Sequence, residues 1–315
     1  MRRIFLTVLI LAIAATGFGY GFYSAYTKNE VYRFVLDAKR AIQPRMGPFN
    51  EHDQLVRYAK NEVGCPKQTD KTMVAVVFGQ SIAANSGGQR YTGKPNVVNF
   101  FGGRCFEASD PLLGNEGIQG TVWTPMANQL GEHYDAVVLI PMALGGSRIS
   151  EWVGRLDGML TRNLLAARQS GYGVTHFLWM QGPSDANETR PEAYSAALER
   201  LIAKTKEGFP QSKFYVALAT YCEPGAEDER IRQAQRKAVD PARNIFEGPN
   251  TDLLVAAEDR RDGCHFSGTG QEKIARAWRD ILLGHTPAKP TPERDTSPPS
   301  TAEPANPDAA PPTAR

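Results

Sequence analysis

Between residues 73 and 283 the sequence alternates short apolar runs with helix-like stretches, and few folds accept that alternation. Residues 73–78, 136–140, 177–180 and 214–219 are continuous and mostly apolar, as strands covered on both faces must be. Residues 253–255 read as a short fifth strand. Helical patterns occupy 124–131, 160–169, 191–207, 228–239 and 270–283. The clearest is 191–207, with Pro191 at its start and Gly208 just past its end, where proline and glycine suit helix termini. The expectation is an α/β fold, a five-stranded parallel sheet with helices on both faces. Such sheets gather their sites at the carboxyl ends of the strands. Ser81, Gly145-Gly146, Gln181 and Cys222 all follow expected strand ends, so they are expected to share one site.

The flanks read differently. Arg2 and Arg3 precede an apolar stretch over 4–25, about one bilayer span at roughly 20 residues. A basic N-terminus stays in the cytoplasm. Residues 1–27 therefore read as an anchor in the inner membrane with the rest of the chain in the periplasm; the alternative is a cleaved signal peptide. The start, Arg2 to Leu6, also has a short likeness to a twin-arginine signal. Residues 28–67 read as a juxtamembrane helix and linker, with Val31, Phe34, Val35 and Ala38 at helical spacing. Residues 286–315 are rich in Pro, Ala, Thr and charge and read as a disordered tail. Residues 68–285 are left as one domain. The net charge of +2 gives no strong field for nucleic acid.

The four cysteines, Cys65, Cys105, Cys222 and Cys264, show no CxxC spacing for zinc or redox work. In an exported domain an even count suggests disulfides. The expected pairs are Cys222–Cys264 and Cys65–Cys105, against an alternative of four free buried thiols.

Gly79-Gln80-Ser81 ends the first apolar run at a strand-to-helix corner. Taken alone, Ser81 reads as a helix N-cap. Far downstream, Asp262-Gly263-Cys264-His265 precedes the last helical pattern. A serine hydroxyl is too weakly acidic to attack an ester unaided; it needs a base, and the base needs an orienting acid. His265 is the candidate base and Asp262 its partner. His52, His133, His176 and His285 have no such setting. Gly145-Gly146 is either a plain turn or a source of backbone N–H groups for an oxyanion. Gln181 is either a turn residue or an amide donor to the same oxyanion. Trp152 reads as a substrate-lining or a core residue. Residues 96–103 read as a sugar-facing rim or as a packed surface loop.

Taken together, Phe78-Gly79-Gln80-Ser81, Gly145 to Trp152, Trp179-Met180-Gln181-Gly182 and Asp262 to Phe266 resemble the ordered blocks of the SGNH hydrolase superfamily. The closer likeness is to sialate O-acetylesterase-like carbohydrate esterases. Ile231 to Gln235 also looks like a family block. The resemblance covers about residues 72–283. It implies a flavodoxin-like three-layer α/β/α domain and an esterase that removes acetyl from sugar hydroxyls without metal or cofactor. It further implies Ser81 as nucleophile, His265 as base and Asp262 as its partner. The implied oxyanion donors are the Ser81 N–H, the Gly145 or Gly146 N–H, and the Gln181 side chain. The chain departs from the family pattern at Ile82, where asparagine is usual, and at Pro183, where glutamate is usual. Asn85, a turn later, is a candidate to replace the lost asparagine contact; its plain reading is an exposed helix residue. An O-acetyltransferase acting on polysaccharide and a non-catalytic glycan-binding module are the rival readings.

Overall fold

The apolar run that ends at Ser81 becomes the middle of a sheet. In the computed structural model its strand, β2, spans Thr72–Gly79 and every residue in it is buried. The structure describes residues 60–284 apart from 224 and 226, together with 16, 17, 19–21, 23, 24, 31 and 58. Most of the expected anchor and of the expected juxtamembrane segment, and all of the expected tail, therefore lie outside the described residues. Among the described residues no helix is long and apolar enough to cross a membrane.

The other strands are β1 (Glu62–Val63), β3 (Val97–Phe101), β4 (Arg104–Glu107), β5 (Ala136–Ala143), β6 (His176–Met180), β7 (Lys213–Leu218) and β8 (Ile245–Asn250). The α-helices are α1 (Trp123–Leu130), α2 (Ile149–Trp152), α3 (Asp157–Gln169), α4 (Pro191–Gly208), α5 (Glu229–Lys237) and α6 (Gly268–Leu282). The strand order is β1-β4-β3-β5-β2-β6-β7-β8. Strand pairs from β3 through β8 are parallel, while β4 pairs antiparallel with β3 and with β1. Residues from α1 and α6 build the core on one face of the sheet. Residues from α2, α3, α4 and α5 build it on the other. The result is the three-layer α/β/α arrangement.

Among the described residues the sheet has eight strands rather than five. Strand β3 falls inside 96–103, so that segment is neither a sugar-facing rim nor a surface loop. Asn99 hides it in the sequence: its side chain is fully buried, accepting from Leu113 N at 2.7 Å and donating to Leu113 O at 3.2 Å. A buried amide with its bonds satisfied is tolerated in a core, yet it breaks the apolar run that sequence reading looks for. The last strand is β8, not 253–255; Leu253 and Val255 are exposed, at 57% and 45%. Strand β8 carries Gly248 and Pro249, which are poor strand formers except at an edge, and β8 is the edge.

Phe78 anchors the core behind the site. Its ring meets Trp179 at 4.9 Å and Trp152 at 5.6 Å, edge to face in both cases. Trp152 is fully buried and belongs to this cluster, so its substrate-lining role is corrected to a core one. Burying one such side chain contributes about 1.5–3 kcal/mol. Both expected disulfides are present, Cys65–Cys105 and Cys222–Cys264.

Candidate active site

Strands β5, β2 and β6 end flush. Gly79 is in register with Ala143 on one side and Met180 on the other. The residues that follow (Gln80-Ser81, Leu144 to Gly146, and Gln181) therefore emerge side by side. Gly79 has φ +141°, and a Cβ there would collide with the Met180 carbonyl; only glycine lets the two strand ends close up. Gln80 then stitches them together. Its buried Oε1 accepts from Gly182 N at 3.1 Å and from Ser184 N at 2.9 Å.

Ser81 opens a 3₁₀ turn, Ser81–Ala83, whose N-cap position is Gln80. The corner does not lead into an α-helix, and Ser81 is not its cap. The Trp123 indole donates to Ala83 O at 2.7 Å and holds the turn down. Ser81 is half-buried. It lines a small cleft with Ser86, Thr121, His265 and Phe266.

His265 enters that cleft on a heavily braced loop. Asp262 Oδ2 lies 2.9 Å from the ring Nδ1, and Oδ1 accepts the His265 backbone N–H at 2.8 Å. A proton on Nδ1 shared with Asp262 leaves Nε2 as the acceptor. Burial pushes the Asp262 carboxyl up, but bonds from the His265 backbone and ring and from Cys264 N outweigh it and hold the group below the usual carboxylate range. The Cys222–Cys264 bridge closes the loop beside these two residues. Glu223 N donates to Gly263 O at 3.0 Å. The buried Arg260 guanidinium donates to Thr251 O and Leu254 O, both at 2.7 Å, and lies 4.3 Å from the Phe266 ring centre.

The expected oxyanion donors separate into two groups. The Ser81 and Gly146 N–H groups have no acceptor among the described residues; Gly146 has φ +65° and an exposed backbone. The Gly145 N–H is taken by Glu116 Oε2 at 2.5 Å. The Gln181 amide is taken as well. Gln181 is fully buried; its Nε2 donates to Asp185 Oδ2 at 2.5 Å and to Ser147 O at 3.1 Å. Its Oε1 accepts from the Tyr194 hydroxyl at 3.1 Å. The structure thus places Gln181 in the scaffold rather than in the cleft.

Asn85 is likewise a scaffold residue, neither an exposed helix residue nor a substrate contact. It is buried; its Nδ2 donates to Leu112 O at 2.9 Å and its Oδ1 accepts from Leu112 N at 2.9 Å. The departures from the family pattern leave the corner intact. Ile82 is buried in the core on the α1–α6 face. Beside Pro183, Asp185 accepts from Ile149 N at 2.9 Å and Thr189 Oγ1 at 2.6 Å. Burial raises the Asp185 pKa, against the pull of these bonds, the Gln181 bond and Arg148.

Sequence reading assigned no role to Gln80, Asp185, Gln235 or Glu116. Gln80 and Gln235 lie in blocks already singled out, and Asp185 lies three residues past another. Gln235 is fully buried and bridges two strand ends, donating to Gln181 O at 2.9 Å and accepting from Ala219 N at 3.0 Å. Glu116 sits in a glycine-rich loop that carries no periodic signal. Among the described residues no group of three or more His, Cys, Asp or Glu is arranged to hold a metal ion.

A family profile described as "Carbohydrate esterase, sialic acid-specific acetylesterase" matches residues 73–283. No curated protein matches the chain. A solved protein from Arabidopsis thaliana superposes with a TM-score of 0.58 at 19% identity, covering 69% of this chain and 99% of its own. A Parabacteroides merdae protein described as a GDSL-like lipase gives 0.50 at 18% identity, covering 70% of this chain and 99% of its own. At these identities both likenesses concern the fold.

Proposed function

The chain belongs to the sialic acid-specific acetylesterase family of carbohydrate esterases, and on that premise we propose that it is a serine esterase that removes acetyl groups from O-acetylated sugars or polysaccharide. Carboxylic ester hydrolysis is the family's chemistry. The assignment of residues to that chemistry rests on one observation: Ser81 and His265 line the same small cleft while Asp262 holds the His265 ring at 2.9 Å.

In this reading the Ser81 Oγ attacks the acetyl carbonyl as His265 Nε2 takes its proton. The negative oxygen of the tetrahedral intermediate is received by the Ser81 and Gly146 N–H groups, the two expected donors without acceptors among the described residues. The bond to the sugar oxygen breaks, and His265 returns its proton to that oxygen. Water then attacks the acetyl-serine, gives a proton to His265, and acetate leaves as Ser81 is reprotonated. Asp262 keeps the ring in the required tautomer and stabilises its charged form.

The intact corner around Ile82 and Pro183 argues against a module that has lost catalysis. Two disulfides suit an oxidising compartment, in keeping with a catalytic domain in the periplasm behind an N-terminal anchor. The test is acetate release from p-nitrophenyl acetate by the wild type beside Ser81→Ala. Loss of turnover with an unchanged circular dichroism spectrum is expected; retained turnover refutes the assignment.

A further inference from the structure

The carboxylate that holds Gly145 stands beside the nucleophile. A Cβ built on Gly145 would lie 2.8 Å from Glu116 Oε2 and 3.7 Å from the Ser81 Cβ. Glu116 is fixed there by its own backbone: Glu116 N donates to Ala143 O, and Asn85 N donates to Glu116 O, both at 2.9 Å. The Asn85 side chain and the Tyr58 hydroxyl, which donates to Gly117 O at 3.0 Å, brace the same loop. No cation pairs with Glu116 among the described residues. Of the nearby arginines, Arg90 donates to the Ile118 carbonyl and Arg148 is paired with Glu188. The second oxygen, Oε1, makes no hydrogen bond among the described residues. Glu223 packs against Gly263 of the Asp262–His265 loop, where a Cβ on Gly263 would collide with its carboxylate. Arg261, 3.5 Å from Asp262, and the buried Arg260, which donates to Cys264 O, are cations of that loop.

Resting on the esterase reading above, we propose that Glu116 is a specificity-determining residue that favours acetyl esters of neutral or amino sugars and disfavours those of acidic sugars. A sugar hydroxyl or ammonium next to the scissile acetyl can donate to the open carboxylate oxygen. A sugar carboxylate in the same place meets like charge across a half-exposed cleft. At a separation of roughly 7 Å that repulsion amounts to roughly a tenfold discrimination. Sialic acids are acidic sugars, so the preference runs against the substrate in the family's description.

The test compares kcat/KM for acetylated methyl glucoside and acetylated methyl glucuronide, which differ by one carboxylate. The wild type should prefer the neutral ester about tenfold at low salt, less so at high salt as screening grows. Glu116→Gln keeps an oxygen to accept the Gly145 N–H and should bring the ratio to within about twofold. Glu116→Lys should reverse it. A ratio identical in all three proteins, or a wild type that prefers the glucuronide, overturns the proposal. Ser81→Ala runs alongside. Turnover that depends on Ser81 but shows an unchanged ratio overturns the role of Glu116 alone. Absence of Ser81-dependent turnover on both esters overturns the esterase reading and this proposal with it.

Discussion

Gln181→Ala separates a structural amide from a catalytic one. Its four polar contacts run to Asp185, Ser147, Gln80 and Tyr194, all within the protein. Truncation to alanine vacates about 50 Å³, roughly 1 kcal/mol of lost packing at about 24 cal/mol per Å³. It also takes the nearer acceptor from the buried Tyr194 hydroxyl, which keeps the Gln181 carbonyl at 3.4 Å and the Gln235 amide at 3.3 Å, and removes a donor from the buried Asp185 carboxylate, about 2 kcal/mol more. The expected loss is about 3 kcal/mol, which corresponds to a Tm drop of roughly 10 °C for a domain of this size. Urea unfolding followed by tryptophan fluorescence reads the first quantity and calorimetry the second. Activity should fall in step with the disturbed strand ends. A variant within about 0.5 kcal/mol of wild type whose kcat is down roughly a hundredfold or more would overturn the scaffold role. That result would mean the amide faces the oxyanion during turnover.

Three further outcomes follow from the geometry. Replacing Cys222 and Cys264 by serine and, separately, Cys65 and Cys105 by serine opens bridges of nearly equal span, 42 and 40 residues; each should cost about 4 kcal/mol in urea unfolding. Only the first variant should also lose most of its kcat, because only that bridge closes the loop of Asp262 and His265; equal losses in both would contradict this. Burial, with a smaller contribution from Lys213, depresses the His176 pKa to about 3, so stability is present above pH 6.5 and is lost as pH falls toward 3. The loss approaches about 5 kcal/mol; His176→Phe should flatten the acid limb of the stability curve, and parallel curves for the two proteins would refute the assignment. Gly182 has φ +154°, and a Cβ there would collide with Ala219 O; Gly182→Ala should destabilise by about 2–3 kcal/mol in thermal melts, and an unchanged Tm would count against the close packing of β6 on β7.

The strands that read correctly from sequence are those that carry an unbroken buried apolar run. Strands β2, β5 and β6 are fully buried, so composition alone reveals them. Strand β3 escapes because Asn99 is satisfied by Leu113, a residue distant in sequence, and β8 escapes because an edge tolerates Gly248 and Pro249. The site divides in the same way. Ser81, Asp262 and His265 are legible because they lie in short local patterns. The roles of Gln181 and Asn85 are not, because a buried amide is defined by partners that only the folded chain brings together. Glu116 reaches Gly145 only because Glu116 N bonds to the end of β5, a contact no local pattern encodes.

Chemical trapping of Ser81 tests its role as the nucleophile. The protein is treated with diethyl p-nitrophenyl phosphate, digested with trypsin, and the fragment spanning residues 72–90 is sequenced by tandem mass spectrometry. That fragment also contains Ser86, which lines the same cleft, so the adduct must be located to the residue. A diethylphosphoryl group is expected on Ser81, formed in proportion to the loss of activity and abolished in His265→Ala. An adduct on Ser86, or inactivation with Ser81 unmodified, would contradict that role.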